Sequence, residues 1–541
     1  MIDAPKRALG LTVLLTSLYA HAAPAQNIEA VLAGKGPQVE LAGETLWTTP
    51  ILRALFADPA HAPHWREAQI AVLREVVARS FDEGLAPRDY LDLRLAKLDA
   101  LPPEQRDVIA TESLARLAFT LRFGKCNPEV LDPDWNYRRS FGRKDPVSWL
   151  RDAIASTDLA ARLEALRPDT PHYRVVQAAL KRYREAAAQG GWTLIGKGRT
   201  LKPGMEDDRV PALRRRLAMT GEFEPETAAR ADRRYDAALV KAVKIFQAHH
   251  GLDADGAVGR ATIAALDVPA SERVDQLRVN LERLRWLAAE LGEGALVVNV
   301  AAFRAVYLEH GEVLWSGRAV VGRPDRKTPI FKGRLAYLEL NPIWTVPPTI
   351  LRKDILPKLR AGEDVLAEKD LRVIDSAGHP VPADRIDWRG MTFGRFTYAL
   401  RGDPGPKNPL GQIAFMFPNP HGVYVHDTPQ REIFSSEDRA LSSGCIRIER
   451  PLALAELLLA DPTQWDEKGL KRAIATGKTR ELVLPRPVAV MLVYLTAFAG
   501  EDGTIQFRRD VYGFDAPVRS ALDAPLRIRL PRDVVEAAAR H

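Results

Sequence analysis

Cysteine and long apolar runs are scarce in this chain. Two cysteines in 541 residues exclude a disulfide framework as the source of its stability. Beyond residue 25 no stretch approaches the roughly 18 uninterrupted apolar residues of a membrane-spanning helix. The zinc motif HExxH is absent and neither cysteine has a partner at ligand spacing, so the sequence implies no metal and no cofactor.

The N-terminus has the pattern of a secretory signal. Lys6 and Arg7 precede a mainly apolar run over Ala8–Tyr19, and two small-x-small sites follow within residues 20–25. This order predicts a signal peptide over residues 1–25 and export to the periplasm. An uncleaved anchor is the alternative, and it would give membrane contact only through this segment.

Length and charge limit the classes of protein that remain. A chain of 541 residues exceeds what one hydrophobic core organises, so we expect several globular domains. The formal net charge of +7 indicates an anionic partner such as a cell-wall polymer or lipid headgroups, or simply a solvated basic surface. Nucleic acid is disfavoured, because no Lys/Arg stripe is interleaved with aromatic residues.

The periodicity of apolar residues divides the chain and predicts a multidomain α+β protein. Residues 26–199 are rich in Ala, Leu and Arg with helical spacing, as in Trp65–Leu73 and Glu112–Phe119, which predicts a helical scaffold domain. Residues 200–268 predict a unit of three helices separated by glycine turns. A linking helix over 269–294 follows, with Arg273–Leu291 as its helical part.

The unit over 200–268 resembles the peptidoglycan-binding three-helix module. The resemblance rests on an AV-x-x-FQ helix, a GL turn, a DG-x-VG turn and a T-x-x-AL helix, which are Ala242–Gln247, Gly251-Leu252, Asp255–Gly259 and Thr262–Leu266. Such residues belong mainly to the core and the turns, so they indicate the fold more strongly than binding. For the adjacent His249 and His250 we expect a surface or capping role rather than metal ligation.

Residues 295–487 predict a mostly β catalytic domain. Short strands are expected at Ala295–Val300, Arg304–Leu308, Glu312–Trp315 and Arg318–Val321, with a hairpin connection at Glu309–Glu312. An insertion over about 350–405 departs from this rhythm and is expected to be a cap over a cleft, or else a structural subdomain. Residues 488–541 form a C-terminal extension.

One histidine and one cysteine have the arrangement of a base and its nucleophile. His426 ends an apolar strand and Cys445 follows 19 residues later in a small-residue turn. A thiol needs a base or a positive field to become a thiolate. Tyr424 shares the face of His426, and Arg447 is expected either to bind a substrate carboxylate or to hold the loop in a salt bridge. A disulfide between Cys126 and Cys445 would remove the nucleophile and is disfavoured.

The same turn supplies donors for a tetrahedral oxyanion. The backbone N–H groups of Gly444 and Cys445 are the nearest candidates, and Ser442 and Ser443 are either hydroxyl donors or turn formers. Neighbouring residues on a strand face opposite ways. We therefore expect a backbone carbonyl, rather than the Asp427 carboxylate, to orient His426.

Tyr424–Pro429 together with Ser442–Arg447 resembles the L,D-transpeptidase signature, and the domain order resembles the large periplasmic members of that family. The family motif often has histidine where this chain has Ser443, although the large capped subgroup has serine there. The resemblance implies acyl transfer between peptidoglycan stem peptides, a donor tetrapeptide and an acceptor amine. It implies catalytic roles for Cys445, His426, Gly444 and Ser443 and substrate binding by Tyr424, Arg447 and Trp344.

Two other functions remain open at this stage. Water competes with the amine for the same thioester, so an L,D-carboxypeptidase has the same sequence features. A non-catalytic wall-binding scaffold would use only the module over 200–268. The sequence also leaves open whether the acceptor is a second stem, a lipoprotein or a free D-amino acid.

Overall fold

The structure is a computed structural model that describes residues 28–541 except 35, 37, 58–61, 140, 142–144, 229–231, 289 and 291–293. The signal peptide predicted over residues 1–25 lies outside the described residues. Among the residues that are described, no helix is both long enough and apolar enough to cross a membrane. The predicted fold class is confirmed: a helical N-terminal region and a small helical module precede a mostly β domain.

The N-terminal region is helical, as its periodicity predicts. Its described residues form a small hairpin, β1 (Val39–Leu41) with β2 (Glu44–Leu46), and nine α-helices: α1 (Ile28–Leu32), α2 (Thr49–Phe56), α3 (Glu67–Ala78), α4 (Asp92–Leu95), α5 (Pro103–Phe123), α6 (Pro128–Leu131), α7 (Pro146–Ala155), α8 (Leu159–Glu164) and α9 (Pro171–Ala188). The central helix α5 is buried along most of its length. It therefore organises the hydrophobic core of this region.

The module has its own apolar core. Its helices are α10 (Val210–Thr220), α11 (Pro225–Ala228), α12 (Ala237–His249) and α13 (Arg260–Leu266). The apolar positions Leu213, Phe246 and Leu266 are fully buried in one cluster, as the helical spacing predicts. His250 is the C-cap residue of α12, so the capping role is confirmed, but it is buried rather than on the surface because Phe246 and Phe507 stack against its ring.

The domain predicted to be catalytic is a closed barrel. The linking helix α14 (Ala270–Leu287) leads into β3 (Gly294–Asn299), β4 (Arg304–Glu309), β5 (Glu312–Gly322) and β6 (Lys332–Leu340), and after the cap the chain continues with β11 (Ile413–Met416), β12 (Val425–His426), β13 (Ala440–Ser442), β14 (Ile446–Ile448) and β15 (Arg480–Val493). The strand order is β5-β14-β12-β11-β6-β15-β3-β4, and β4 pairs back to β5. Closure leaves β13 as an extra strand beside β5, and the alternating side chains fill the barrel.

Two expectations for the barrel are corrected. The predicted strands Glu312–Trp315 and Arg318–Val321 form one continuous strand, β5, because Gly317 lacks a Cβ that would lie 2.9 Å from the Glu449 carbonyl. The barrel also continues past residue 487, since β15 pairs with β3 up to Val493. The hairpin between β4 and β5 is confirmed, with His310 and Gly311 both at positive φ.

The insertion forms a small unit with its own core, which we call the cap. It contains β7 (Trp344–Thr345), α15 (Pro348–Ile350), α16 (Leu356–Arg360), α17 (Val365–Glu368), β8 (Leu371–Ile374), β9 (Pro380–Val381) and β10 (Ala399–Gly402). Its four strands form an antiparallel sheet in the order β7-β10-β8-β9. A π-helical turn over Leu351–Ile355 joins α15 to α16.

The C-terminal residues connect the domains. The elements α18 (Pro451–Leu459) and α19 (Glu467–Ala475) lie before β15, and β16 (Ala497–Ala499), β17 (Ile505–Phe507), α20 (Asp515–Asp523) and α21 (Arg532–Ala538) come after it. Helix α20 packs on α14, and α21 packs on α2 and α7 of the N-terminal region. Leu526, Val534 and Ala538 complete the N-terminal core. The end of the chain therefore joins the barrel to the helical region.

Candidate active site

Two short parallel strands bring the predicted histidine and cysteine together. β12 pairs with β14 so that Val425 lies opposite Ile446 and His426 opposite Arg447. Because side chains alternate along a strand, His426 and Arg447 share one face. The Tyr424 and His426 rings are 5.8 Å apart, and the charge of Cys445 acts on Tyr424. The four predicted residues Tyr424, His426, Cys445 and Arg447 therefore form one cluster.

His426 is buried and is held by a backbone carbonyl. Its Nδ1 lies 2.6 Å from the carbonyl oxygen of Asp427, as the sequence predicts. A carbonyl only accepts, so Nδ1 carries the proton and Nε2 is the basic nitrogen of the neutral ring. Burial, and then the charge of Arg447, lower the pKa of His426 to about 3. The imidazole is neutral at physiological pH.

Cys445 is half-buried and its thiol lies 3.9 Å from the carbonyl oxygen of Gly422. Burial raises the pKa of Cys445, while a backbone hydrogen bond from Tyr424 and the charge of Arg447 oppose that rise. Both reactive side chains thus bond to backbone carbonyls and not to each other in the resting structure. The pair rests as a neutral thiol and a neutral imidazole, not as an ion pair.

Arg447 carries a cation beside the thiol. Among the described residues no carboxylate pairs with it, and its Nε is buried without a hydrogen-bond partner. Of the two roles predicted for Arg447, the salt bridge that holds the loop is therefore not formed among the described residues. A guanidinium with unused donors in a half-buried position is suited to a ligand carboxylate.

The turn before Cys445 is closed by a serine hydroxyl. Ser442 Oγ accepts a hydrogen bond from the N–H of Gly444 at 3.1 Å and donates one to the carbonyl of Cys445 at 2.6 Å. Gly444 has a φ of 125°, which L side chains rarely adopt. Its N–H is already used, so the N–H of Cys445, which has no acceptor among the described residues, is the better oxyanion donor.

A buried threonine supports this turn from below, and sequence reasoning missed it. Thr328 Oγ1 donates to the carbonyl of Gly444 at 2.7 Å and accepts from the N–H of Gly322 at 2.9 Å. Tyr512, in the C-terminal extension, accepts from the N–H of Thr328 and donates to the carbonyl of Gly322. No local motif marks Thr328, because its partners lie far away in the sequence.

Ser443 connects the turn to the cap. Its Oγ accepts a hydrogen bond from Arg326 Nη1 at 2.9 Å. The same guanidinium pairs with both oxygens of Asp354 in the π-helical turn of the cap. The Arg326 side chain is 7% exposed, whereas that of Asp354 is 38% exposed, so the pair lies at the edge of the cap with its arginine side buried. Sequence analysis found Ser443 but neither Arg326 nor Asp354.

The remaining residues considered in the sequence analysis contact other parts of the protein and lie outside the cluster around Cys445. Trp344 is 7% exposed in the core of the cap, and Tyr424 packs against that core. Substrate binding by Trp344 stays a prediction. Asp427 accepts from the N–H of Gln412 and pairs with Arg431, so its carboxylate does not orient His426. Cys126 is buried and both cysteines are free, which confirms that no disulfide joins them.

Three parts of the chain match known protein families. Residues 293–480 match the L,D-transpeptidase catalytic domain, residues 50–180 match the family described as "Scaffold domain", and residues 206–266 match the family described as "Putative peptidoglycan binding domain". The resemblance read from the sequence is thereby confirmed for these three stretches.

Similar proteins carry the same description. A Haemophilus influenzae protein named "Putative L,D-transpeptidase" is 32% identical over 267 residues, which is 48% of this chain and 53% of the relative. The match therefore spans about half the length of that relative. Among solved structures, an L,D-transpeptidase from Mycobacterium smegmatis is 16% identical over 37% of this chain and 58% of its own, with a TM-score of 0.19. An L,D-transpeptidase from Xylanimonas cellulosilytica is 17% identical over 55% of this chain and 99% of its own, with a TM-score of 0.18.

Proposed function

Because residues 293–480 match the L,D-transpeptidase catalytic domain, we propose that this protein is a cell-wall L,D-transpeptidase. It forms crosslinks between diaminopimelate residues of peptidoglycan. The observation that carries this proposal is the pairing of β12 with β14, which sets His426 opposite Arg447, with Cys445 immediately before β14. The matches to a transpeptidase catalytic domain and a peptidoglycan-binding domain support a location outside the cytoplasm, and we propose the periplasm.

In the first half-reaction Cys445 is the nucleophile. Its thiol proton passes to Nε2 of His426, and the sulfur attacks the carbonyl of the third residue, a diaminopimelate, in the donor tetrapeptide. The oxyanion is held by the N–H of Cys445. The C–N bond to the terminal D-alanine breaks, its amine takes the proton from the imidazolium, and a thioester remains on Cys445.

In the second half-reaction an amine replaces the sulfur. The side-chain amine of a second stem attacks the thioester carbonyl, and His426 takes the proton that this amine loses. The C–S bond breaks, the thiolate regains a proton from His426, and a new amide joins the two stems. Arg447, which has no acidic partner among the described residues, binds a carboxylate of the donor.

The cap favours transfer over hydrolysis. It has its own core and touches the catalytic turn through Arg326. A closed cap excludes water from the thioester while the acceptor amine enters. If the cap leaves the thioester open to water, the same chemistry makes the protein an L,D-carboxypeptidase that trims tetrapeptide stems.

The acyl-enzyme is the intermediate to measure. After quenching with acid, the full chain mixed with a disaccharide tetrapeptide is expected to carry the donor, less D-alanine, on the peptide that contains Cys445. Cys126→Ser serves as the matched control and keeps the adduct, whereas Cys445→Ser loses it. An adduct that survives Cys445→Ser, or none on the wild-type chain, contradicts the thioester mechanism.

A further inference from the structure

A groove of about 970 Å³ runs between the module and the barrel. On the module side it is lined by α13 and the end of α12, and on the barrel side by the segment that leads into β13. The C-terminal segment after β17 and the linking helix α14 form its floor. No residue of the catalytic cluster lines it, so this space is separate from the site around Cys445.

Three guanidinium groups from distant parts of the sequence meet in this groove. Arg439 and Arg508 have no carboxylate within ion-pair distance among the described residues, and backbone carbonyls hold them instead, Ser436 at 2.6 Å and His249 at 2.9 Å. Burial, and then the charges of Arg304 and Arg439, lower the pKa of Arg508 to about 10. Arg304 pairs with Glu501, so Arg439 and Arg508 are the two of these guanidinium groups without an acidic partner among the described residues. An anion between these two would remove their mutual repulsion.

A buried histidine lines the same groove with an unused nitrogen. His250 is 7% exposed, its Nδ1 contacts the carbonyl of Phe246, and its Nε2 is buried without a hydrogen-bond partner. A buried polar atom without a partner is rare and indicates a missing ligand or water. Burial and the charge of Arg273 keep the pKa of His250 well below its usual range.

Two of the acids that line the groove already pair with arginines. Asp438 pairs with Arg509, and Asp515 pairs with Arg283 and accepts from Thr496. Arg260, on the module side, is exposed and makes no ion pair with any described residue. The residues that line the groove include eight arginines and six acids, so their formal net charge is positive.

We propose that this groove binds the carboxylate groups of peptidoglycan peptide stems, as a second wall-binding site next to the catalytic one. The identity of the ligand rests on the proposed function. Stem peptides carry several free carboxylates, and a planar guanidinium binds a carboxylate through two parallel hydrogen bonds. The match of residues 206–266 to a peptidoglycan-binding family agrees with this ligand.

The groove lies close enough to the nucleophile to affect it. Arg439 precedes Cys445 by six residues, a separation of at most about 20 Å for extended chain. A wall strand held in the groove keeps neighbouring stems near Cys445 and raises their effective concentration. The groove then acts on substrate capture and not on the chemical step.

The test uses two charge reversals in the groove and two matched reversals outside it. The full chain with Arg260→Glu and Arg304→Glu is compared with the full chain with Arg215→Glu and Arg472→Glu, which changes exposed arginines that do not line the groove. Each is sedimented with isolated sacculi and with sacculi whose carboxylates are amidated, in a Cys445→Ser background. Thermal unfolding checks that all variants fold.

The groove variant is expected to bind native sacculi about tenfold more weakly than the parent, with the control variant within twofold. The parent should bind amidated sacculi as weakly as the groove variant binds native sacculi. The groove variant should bind native and amidated sacculi equally. Equal binding by the two variants, or parent binding that ignores amidation, overturns the groove proposal. Turnover of a soluble tetrapeptide by the chain that retains Cys445 tests the proposed function separately, because a soluble substrate does not need the groove.

Discussion

The guanidinium of Arg326 holds the carboxylate of Asp354 in a bidentate pair with N–O distances of 2.5 and 2.7 Å. Asp354 belongs to the cap, and Arg326 also donates to Ser443, two residues before the nucleophile. One side chain therefore connects the position of the cap to the shape of the catalytic turn. π-helical turns such as the one that contains Asp354 are frequent at functional sites.

Arg326→Gln should uncouple the cap from the turn. We expect turnover of a soluble tetrapeptide to fall about tenfold, and hydrolysis to rise relative to transfer because the cap no longer excludes water. Asp354→Asn should reproduce the change in the product ratio, and Ser443→Ala mainly the loss of rate. Arg323→Gln, which removes a guanidinium paired with Asp325 instead of Asp354, is the control. An unchanged product ratio in Arg326→Gln would contradict this coupling.

Gly444→Ala tests the turn itself. At a φ of 125° an added Cβ meets nothing closer than 3.9 Å, so its cost comes from backbone strain and not from a clash. That strain is about 1–3 kcal/mol, and the turn is expected to relax and reduce turnover at least tenfold. Gly405→Ala is the matched control, because it has no positive φ and nothing within 4 Å. Activity of Gly444→Ala at the level of Gly405→Ala would show that the turn geometry is not needed.

The pKa of His426 predicts how stability depends on pH. Its folded value is about 3 and its ordinary value is 6.5. Between these values the unfolded chain binds a proton that the folded chain does not, so the free energy of unfolding is full above pH 6.5 and falls as the pH falls towards 3. The free energies of unfolding from urea titrations at pH 7 and pH 5 should differ by about 1–2 kcal/mol more for the wild-type chain than for His426→Gln. His379→Gln, at an exposed position, should behave like the wild-type chain.

The reactivity of Cys445 should depend on Arg447. Burial raises the pKa of the thiol and the charge of Arg447 opposes that rise. Arg447→Gln removes the opposing charge, so the alkylation rate with iodoacetamide should move to higher pH and fall several-fold at pH 8. Arg431→Gln, which removes a cation paired with Asp427, is the control. Faster alkylation in Arg447→Gln would refute the role of this cation.

The sequence predicted the parts of the site that are local. His426, Cys445 and Arg447 fall in short motifs, and the alternation of side chains along a strand was enough to predict that Tyr424 and His426 share a face. That a backbone carbonyl orients His426 was also predicted, whereas its identity as the carbonyl of Asp427 comes from the structure.

The parts that depend on distant residues were not predictable. Arg326 and Thr328 meet Ser443 and Gly444 only because β5 pairs beside β14 in the closed barrel, and barrel closure has no local signal. His250 was expected at the surface or as a cap. It is buried because β17 brings Phe507 onto its ring from more than 250 residues away.

The central claim is that Cys445 transfers an acyl group from one peptide stem to another. The most direct measurement is mass spectrometry of the muropeptides that the purified full chain forms from a disaccharide tetrapeptide. We expect dimers joined between two diaminopimelate residues, with one D-alanine released for each dimer, and no dimers from Cys445→Ala. Dimers made by Cys445→Ala, or tripeptides alone from the wild-type chain, would contradict the account.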